Sequence, residues 1–390
     1  MTKEQQDFRQ LMAEFAEAEI APYAAGWDAD HHFPLDAVRK LGELGVFGLH
    51  APEEYGGAGD FTSLCIAIEE IGRVDQSLGI TVEAAVGLGI NPIAAYGTDG
   101  QQQQWLPDLI AGRALAGFGL TEPEHGSDAA ATSTRAELID DHWVINGAKQ
   151  FITNSGTEIT SLVTVTARTG TRDDGRPELS TIIVPNSTPG FTVEPAYRKL
   201  GWHASDTHPL TFTDARVPSD HLLGERGRGY AQFLAILDDG RVAIAALALG
   251  CIRACRDLAL AYAGERKAFG DVIGRKQGVA FQLADLDVMA HTAHLLVYEA
   301  AGMRDALDAG GPNAPSQAAY KRAASIAKLQ TTEHAVMATR IAAQVFGGYG
   351  FMEEYPIARF YRDAKILEIG EGTSEVQRLL IARGMGLDVE

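Results

Sequence analysis

Near its C-terminus the chain reads Glu371-Gly372-Thr373-Ser374-Glu375-Val376-Gln377-Arg378. Glu371 and Gly372 fit a turn, Thr373 or Ser374 fits the cap of the following helix, and Leu379, Leu380 and Ile381 fit its buried anchor. A carboxylate fixed beside apolar surface, with glycine freeing the backbone next to it, has what a general base needs. Taken alone, the octet is a helix start carrying two acids; other segments upstream add to its meaning.

Thr121-Glu122-Pro123-Glu124-His125-Gly126-Ser127-Asp128 by itself reads as a surface turn, although its hydroxyls and N–H groups also suit a polar ring edge or a phosphate. Further on, Trp143 to Gly156 carries Asn146-Gly147, which predicts a hairpin turn. Phe151 and Thr153 then share one strand face, as core plus edge or as a partner for a planar cofactor. Gln344-Val345-Phe346-Gly347-Gly348-Tyr349-Gly350-Phe351 ends a helical pattern in a glycine-rich loop of the kind that lets backbone approach a pyrophosphate. No Lys-Ser/Thr follows it, so it is not a P-loop, and no G-x-G-x-x-G follows a predicted strand. Asp238-Asp239-Gly240-Arg241 lies inside a long helical pattern. Glycine there costs about 1 kcal/mol relative to alanine, which points to close approach by another group. Arg241 suits an acid partner or a ligand, and a solvated acidic face is an equal reading. His291 and His294 lack a third ligand at metal spacing, so no metal is expected.

The elements that position these residues fall into three blocks. Residues 1–114 read as helical, with Phe8, Leu11, Met12, Phe15 and Ile20 on one stripe and Pro34 opening a second helix. Residues 115–225 change period: Leu162–Ala167, Thr181–Val184, Phe191–Glu194 and Leu210–Thr213 read as strands of a small barrel or sandwich. Residues 226–390 return to long helices, Tyr230–Glu265, Gln277–Ala309, Ser316–Phe346 and Thr373–Ala382, which suggest a bundle. The class is therefore α+β, with helical domains on either side of a β domain and ligand clefts at the seams.

At 390 residues the chain can bury several cores, and 46% hydrophobic with 22% charged residues is an ordinary globular composition. A net charge of −19 disfavours nucleic acid and anionic membrane as partners. The three cysteines, Cys65, Cys251 and Cys255, form no zinc spacing or disulfide framework and fit a reduced compartment. No secretory or transit segment and no uncharged apolar run of membrane-spanning length is read, Val242–Gly250 being taken as the most apolar stretch; the expected location is cytoplasmic.

Taken together, the segments resemble the acyl-CoA dehydrogenase family of flavoproteins along essentially the whole chain. The collinear set is Glu53–Gly57, Thr121–Asp128, Phe151–Asn154, Leu200–Thr207, Glu265–Gly270, Gln344–Gly350, Arg362–Ile366 and Glu371–Arg378. The resemblance implies an N-terminal helical domain, a central β-barrel or sandwich domain and a C-terminal four-helix bundle. It also implies FAD, a homotetramer, an acyl-CoA substrate and an electron-transfer flavoprotein as acceptor. Glu371 would take the α-proton while hydride passes to flavin N5, giving the trans-2-enoyl-CoA. The thioester carbonyl would be held by the Glu371 N–H and a flavin ribityl hydroxyl. Phe118, Leu120, Thr121, Ser127, Phe151 and Thr153 would contact the flavin. Arg266, Phe269, Gln277, Gln344, Gly347 and Gly348 would hold its adenine half or pyrophosphate, partly across a subunit interface, and Thr373 and Glu375 would complete the FAD contacts. Ser127, Asp238, Arg241 and Gly372 would touch the acyl-CoA, with the acyl pocket's base on the helix around Thr81 to Gly89.

Departures from the family pattern are informative. Some members carry the base at the position of Gly240, where glycine cannot serve. The flavin-stacking position, often Trp, is Phe151, and a Tyr that often precedes the base is Gly370, which predicts room for a branched or bulkier acyl chain. His203 and His208 stand where Arg is common. Acyl-CoA oxidases of this scaffold usually carry a further C-terminal domain, and monooxygenase relatives generally lack the base. A non-catalytic binding protein would have no use for Glu371 together with the flavin contacts.

Overall fold

The computed structural model describes residues 1–389. Its first part is helical: α1 (Lys3–Phe15), α2 (Ala24–Asp30), α3 (Leu35–Glu43), α4 (Phe61–Gly72), α5 (Gln76–Glu83), α6 (Asn91–Tyr96) and α7 (Asp99–Ile110). Side-chain caps set several starts. Thr2 and Thr98 form capping boxes with Gln5 and Gln101, and Asp60 and Asp75 accept the Ser63 and Leu78 N–H groups at 2.7 and 2.8 Å. On α1 the buried stripe is narrower than the sequence pattern suggests: Met12 is fully buried, whereas Leu11 points outward. A π-helical turn, Ala84–Ile90, joins α5 to α6 without a break. The composite stretch Gln76–Tyr96 is long and apolar enough to cross a membrane by length and composition, and most of it is buried inside this protein. It is longer than the apolar stretch Val242–Gly250 and, among the described residues, the one helix that meets both conditions.

The middle part is one sheet built from β1 (Leu115–Gly119), β2 (Arg135–Ile139), β3 (His142–Thr153), β4 (Thr160–Thr171), β5 (Pro177–Pro185), β6 (Phe191–Val193), β7 (Thr207–Pro218) and β8 (Leu222–Leu223). Its order is β6-β7-β3-β2-β4-β5-β8, with β1 parallel to β4. Alternate residues, among them Trp143, Ile145, Val163, Val165, Ile182, Val184 and Phe212, form its own apolar core. The hairpin turn expected at Asn146-Gly147 is not there. The β2–β3 reversal uses Asp140-Asp141, whose φ values of +48° and +63° and Ile139–His142 pairing suit a two-residue turn. Asp tolerates the left-handed region because its short carboxylate bonds locally. β3 runs on through residues 146 and 147, paired to β7 with a register shift between Ile145 and Gly147. Glycine is required at that shift because a Cβ would lie 2.5 Å from Thr134 Oγ1. Asn146 is occupied instead with Asp214, through bonds of 3.0 and 2.9 Å.

The last part holds α8 (Gly229–Glu265), the short pair β9 (Lys267–Ala268) and β10 (Asp271–Val272), then α9 (Gln277–Ala309), α10 (Gln317–Phe346), α11 (Pro356–Ala364) and α12 (Ser374–Gly384). Residues Val242–Ile252 of α8 are buried all round, so this helix is the axis against which α9, α10 and α4 pack. α12 packs on α10 and completes the bundle. Ser316 and Thr373, read from sequence as helix starts, are the caps of α10 and α12. One apolar core runs through both helical parts, so the inner faces of α4, α5, α8 and α10 hold fixed positions around whatever lies between them.

Candidate active site

The turn before α12 is held in an unusual shape. Glu371 sits in the left-handed region at φ +53°, and Gly372 follows at +95°. A non-glycine residue there costs roughly 1–3 kcal/mol, which persists only when the surroundings over-determine it. Here Lys328 Nζ donates to the Gly372 carbonyl at 2.7 Å, and Gln377 Nε2 donates to the Gly372 and Glu371 carbonyls at 3.0 and 3.3 Å. Thr373 Oγ1 accepts the Val376 N–H at 3.4 Å and starts the helix. Among the described residues the Glu371 N–H makes no backbone hydrogen bond, which leaves it available to donate to a ligand.

The left-handed turn sends the Glu371 side chain inward against α8, directly over Gly240. A Cβ added at Gly240 would lie 1.9 Å from Glu371 Oε2, which is the close approach that the helix-interior glycine suggested. Although the residue as a whole is partly exposed, both carboxyl oxygens are cut off from water and have no hydrogen-bond donor of the ordinary kind. Burial pushes the Glu371 carboxyl up to about 7, against the opposing influence of the facing Glu83 carboxyl and the charges of Arg241 and Lys328. Burial likewise brings the Lys328 ammonium down to about 8. Asp238 and Arg241 are buried and paired to each other on α8, and Lys321 approaches Asp238 at 3.3 Å, so the solvated acidic face is ruled out for this pair. A Cβ at Gly370 would fit without a clash, in ordinary contact with the Ile366 carbonyl at 3.5 Å.

A second group gathers where the sheet meets the helices. Phe118, near the end of β1, packs its ring 4.0 Å from Phe233 of α8. The strand ends carrying Leu120, Thr121, Phe151 and Thr153 are tied together by the Gln150 N–H, which donates to the Thr121 carbonyl at 2.8 Å. Phe151 is itself left-handed, at φ +62°, and 62% exposed against Tyr197, an aromatic face turned outward rather than into the core. Ser127 is exposed on the loop after Thr121. That loop is anchored by Glu122, which accepts the N–H groups of Ser133 and Thr134 at 2.7 and 2.9 Å and the Lys149 ammonium at 2.8 Å. Burial would raise the Glu122 carboxyl, but Lys149 and the Ser133 and Thr134 donors hold it at about 2; burial lowers Lys149 to about 8. Both side chains are 1% exposed or less. Lys149→Met is therefore expected to lower the melting temperature markedly, because an unpaired buried carboxylate costs about 3–5 kcal/mol. An unchanged melt would show that the pair holds nothing in place.

A third group lies elsewhere. Arg266, Gly347 and Gly348 line one cleft of about 510 Å³ with Tyr262, Phe346 and Tyr349, and the Arg266 guanidinium stands 5.7 Å over the Tyr349 ring. A cation, glycine backbone and aromatic rings together match the polar and planar parts of a dinucleotide. Phe269, Gln277 and Gln344 are exposed and do not line this cleft; Phe269 is 96% exposed. Glu375 is exposed in the first turn of α12. The chain by itself thus unites Glu371, Gly372, Asp238 and Arg241 in one region and Arg266, Gly347 and Gly348 in another. His203 stacks on His31 at 4.0 Å, and His208 is bonded to Asp206 at 2.7 Å and to the Glu194 carbonyl at 2.6 Å, so both are engaged within the fold.

Profiles for the N-terminal, middle and C-terminal domains of acyl-CoA dehydrogenases match residues 2–113, 117–215 and 227–386. This chain belongs to the acyl-CoA dehydrogenase family. A probable acyl-CoA dehydrogenase of Bacillus subtilis is 46% identical over 384 residues, 98% of each chain. The solved butyryl-CoA dehydrogenase of Megasphaera elsdenii superposes with a TM-score of 0.92 at 37% identity, covering 99% of each chain. A chain from a solved structure described as the electron transferring flavoprotein of Acidaminococcus fermentans does so at 0.92 and 38%, covering 100% of this chain and 99% of that one. The protein is accordingly a flavin-dependent oxidoreductase acting on acyl-CoA, with FAD as its cofactor. The exposed ring of Phe151 and the Arg266–Gly348 cleft fit such a group on their own chemistry.

The sequence reading named the helix around Thr81 to Gly89 but passed over Glu83. Glu83 is 1% exposed and carries no salt bridge among the described residues; its carboxyl faces that of Glu371. A signal was present: Glu83 is the only Asp, Glu, Lys or Arg in the apolar run Gln76–Tyr96. A lone acid in such a run is expensive and suggests a role.

Proposed function

We propose that this acyl-CoA dehydrogenase converts an acyl-CoA thioester to its trans-2-enoyl-CoA with Glu371 as the base that removes the α-proton. The observation that carries the reading is the Glu371 carboxyl, buried, without ordinary donors, fixed by a left-handed turn over Gly240 and poised near neutrality. A base of that strength is ionised at working pH yet basic enough to take a proton from carbon. As the α-proton leaves, negative charge gathers on the thioester oxygen, and the free Glu371 N–H is the protein's donor for it. Asp238, Arg241 and Gly372 line the approach of the acyl-CoA. FAD, when bound, supplies the electron sink for the β-hydrogen and its electron pair. Phe118, Leu120, Thr121, Ser127, Phe151 and Thr153 hold the ring side, Arg266, Gly347 and Gly348 the adenine or pyrophosphate side, and Thr373 and Glu375 the rest. Phe269, Gln277 and Gln344 would serve a neighbouring subunit's cofactor in a homotetramer. Exposed Phe281, Val288 and Leu295, seven residues apart on α9, support such an assembly. The acceptor is an electron-transfer flavoprotein, supported by the Acidaminococcus relative, whose structure is named for such a flavoprotein.

The substrate is a short acyl chain, straight or branched next to the reacting carbons. The butyryl-CoA dehydrogenase relative supports shortness, and the absence of a side chain at Gly370, just before the proposed base, supports branching. Anaerobic bleaching of the flavin by short, long and branched acyl-CoAs tests the reading: rapid bleaching by a short member is expected. Bleaching by long chains alone would remove the substrate assignment, and no bleaching at all would remove the activity.

A further inference from the structure

Two carboxyls meet in the apolar interior between α5 and the turn before α12. Glu83 and Glu371 face each other, and with the pair unprotonated none of their four buried oxygens has a hydrogen-bond donor among the described residues. Gly87, one turn beyond Glu83, keeps space for the pair, since a Cβ there would lie 3.2 Å from Glu83 Oε1. The charges around the pair are distributed unevenly. Arg241 of α8 and Lys328 of α10 act on Glu371, while Glu83 on α5 has Glu371 alone; Glu333 and Glu368 act on Lys328 rather than on either carboxyl. Two carboxylates facing each other in such surroundings cannot both be ionised. The member without a cation keeps the proton, and burial with the facing Glu371 raises Glu83 well above the ordinary range.

We propose that Glu83 is the positioning residue for the base: its protonated carboxyl donates to the Glu371 carboxylate and fixes that carboxylate in its ionised form over Gly240. The proposal rests on Glu371 being the base. During turnover the α-carbon's C–H bond breaks and an O–H bond forms on Glu371, while Glu83 keeps its own proton throughout. Glu83 thus supplies the ionised base with a hydrogen bond that water cannot supply in this interior.

The test uses the FAD-loaded protein with butyryl-CoA as the probe, comparing Glu83→Gln and Glu83→Leu with the unaltered chain in anaerobic flavin reduction across pH. Glu83→Leu removes the donor, so the acid limb of the profile is expected to rise by about one pH unit, a roughly tenfold loss on that limb with little change on the alkaline plateau. Glu83→Gln keeps a donating Nε2–H and is expected to hold the unaltered limb. A limb that stays or falls in Glu83→Leu overturns the proposal, a fall meaning that Glu83 is ionised and repels the base. A readout confined to conservative variants protects against misfolding of Glu83→Leu. The infrared band of a protonated carboxyl at mildly alkaline pH is expected to vanish in Glu83→Gln and survive in Glu371→Gln, and the reverse overturns the proposal. Retained flavin reduction in Glu371→Gln would instead strike the base assignment itself, whatever the limb does.

Discussion

Glu371→Gln, purified with its FAD, is expected to bind acyl-CoA and leave its flavin oxidised. The amide matches the carboxyl in size but has no lone pair basic enough for an α-proton, and a positioned general base contributes about 10²–10⁴-fold. A loss at or beyond the top of that range is expected, because no second base stands in the known alternative place, which is Gly240. The pH dependence of the unaltered protein follows from the same group. As the proposed base Glu371 would work only when ionised, and burial raises it to about 7, so the rate is expected to climb with pH through that region and fall below it. The stability effect has the opposite sign. A carboxyl raised above its unfolded value adds stability at low pH that is lost as pH rises through the folded value. Glu371→Gln is therefore expected to melt at or above the temperature of the unaltered protein at mildly alkaline pH, which separates loss of chemistry from loss of fold. Flavin reduction near the unaltered rate would show that another group takes the proton.

Gly240→Ala is expected to separate stability from activity in the same way. Within a helix the change favours folding by about 1 kcal/mol in the absence of a clash. Here the new Cβ would lie 1.9 Å from Glu371 Oε2, well inside van der Waals contact, so the carboxylate must move. A misplacement of roughly 1 Å can cost about 10²-fold in rate, and a loss of that order in flavin reduction is expected with FAD still bound. The companion test moves the base: Gly240→Glu combined with Glu371→Gly is expected to recover part of what Glu371→Gly loses, since some family members carry their base at this position. A fully active Gly240→Ala protein would mean that Glu371 does not rest over α8.

Much of this was legible along the chain because the signals are local. The Glu371–Thr373 turn and its cap, the β-to-α change of period and the long helices each depend on neighbours within a few residues. The Gly240 close approach could be suspected because an interior helical glycine is costly, although nothing in the sequence named its partner 131 positions later. The Asn146-Gly147 hairpin was misplaced for the same reason: a favourable turn dipeptide is overruled when pairing with β7 carries the strand straight through and Asp140-Asp141 can make the reversal. What the sequence alone determined was the kind of residue available for chemistry and the elements that carry it. Only the tertiary structure decided which carboxyl faces which. Glu83 and Glu371 lie far apart in sequence, and their shared, water-free interior, which sets the proton on one and the charge on the other, exists only once α5, α8, α10 and the last turn have packed together.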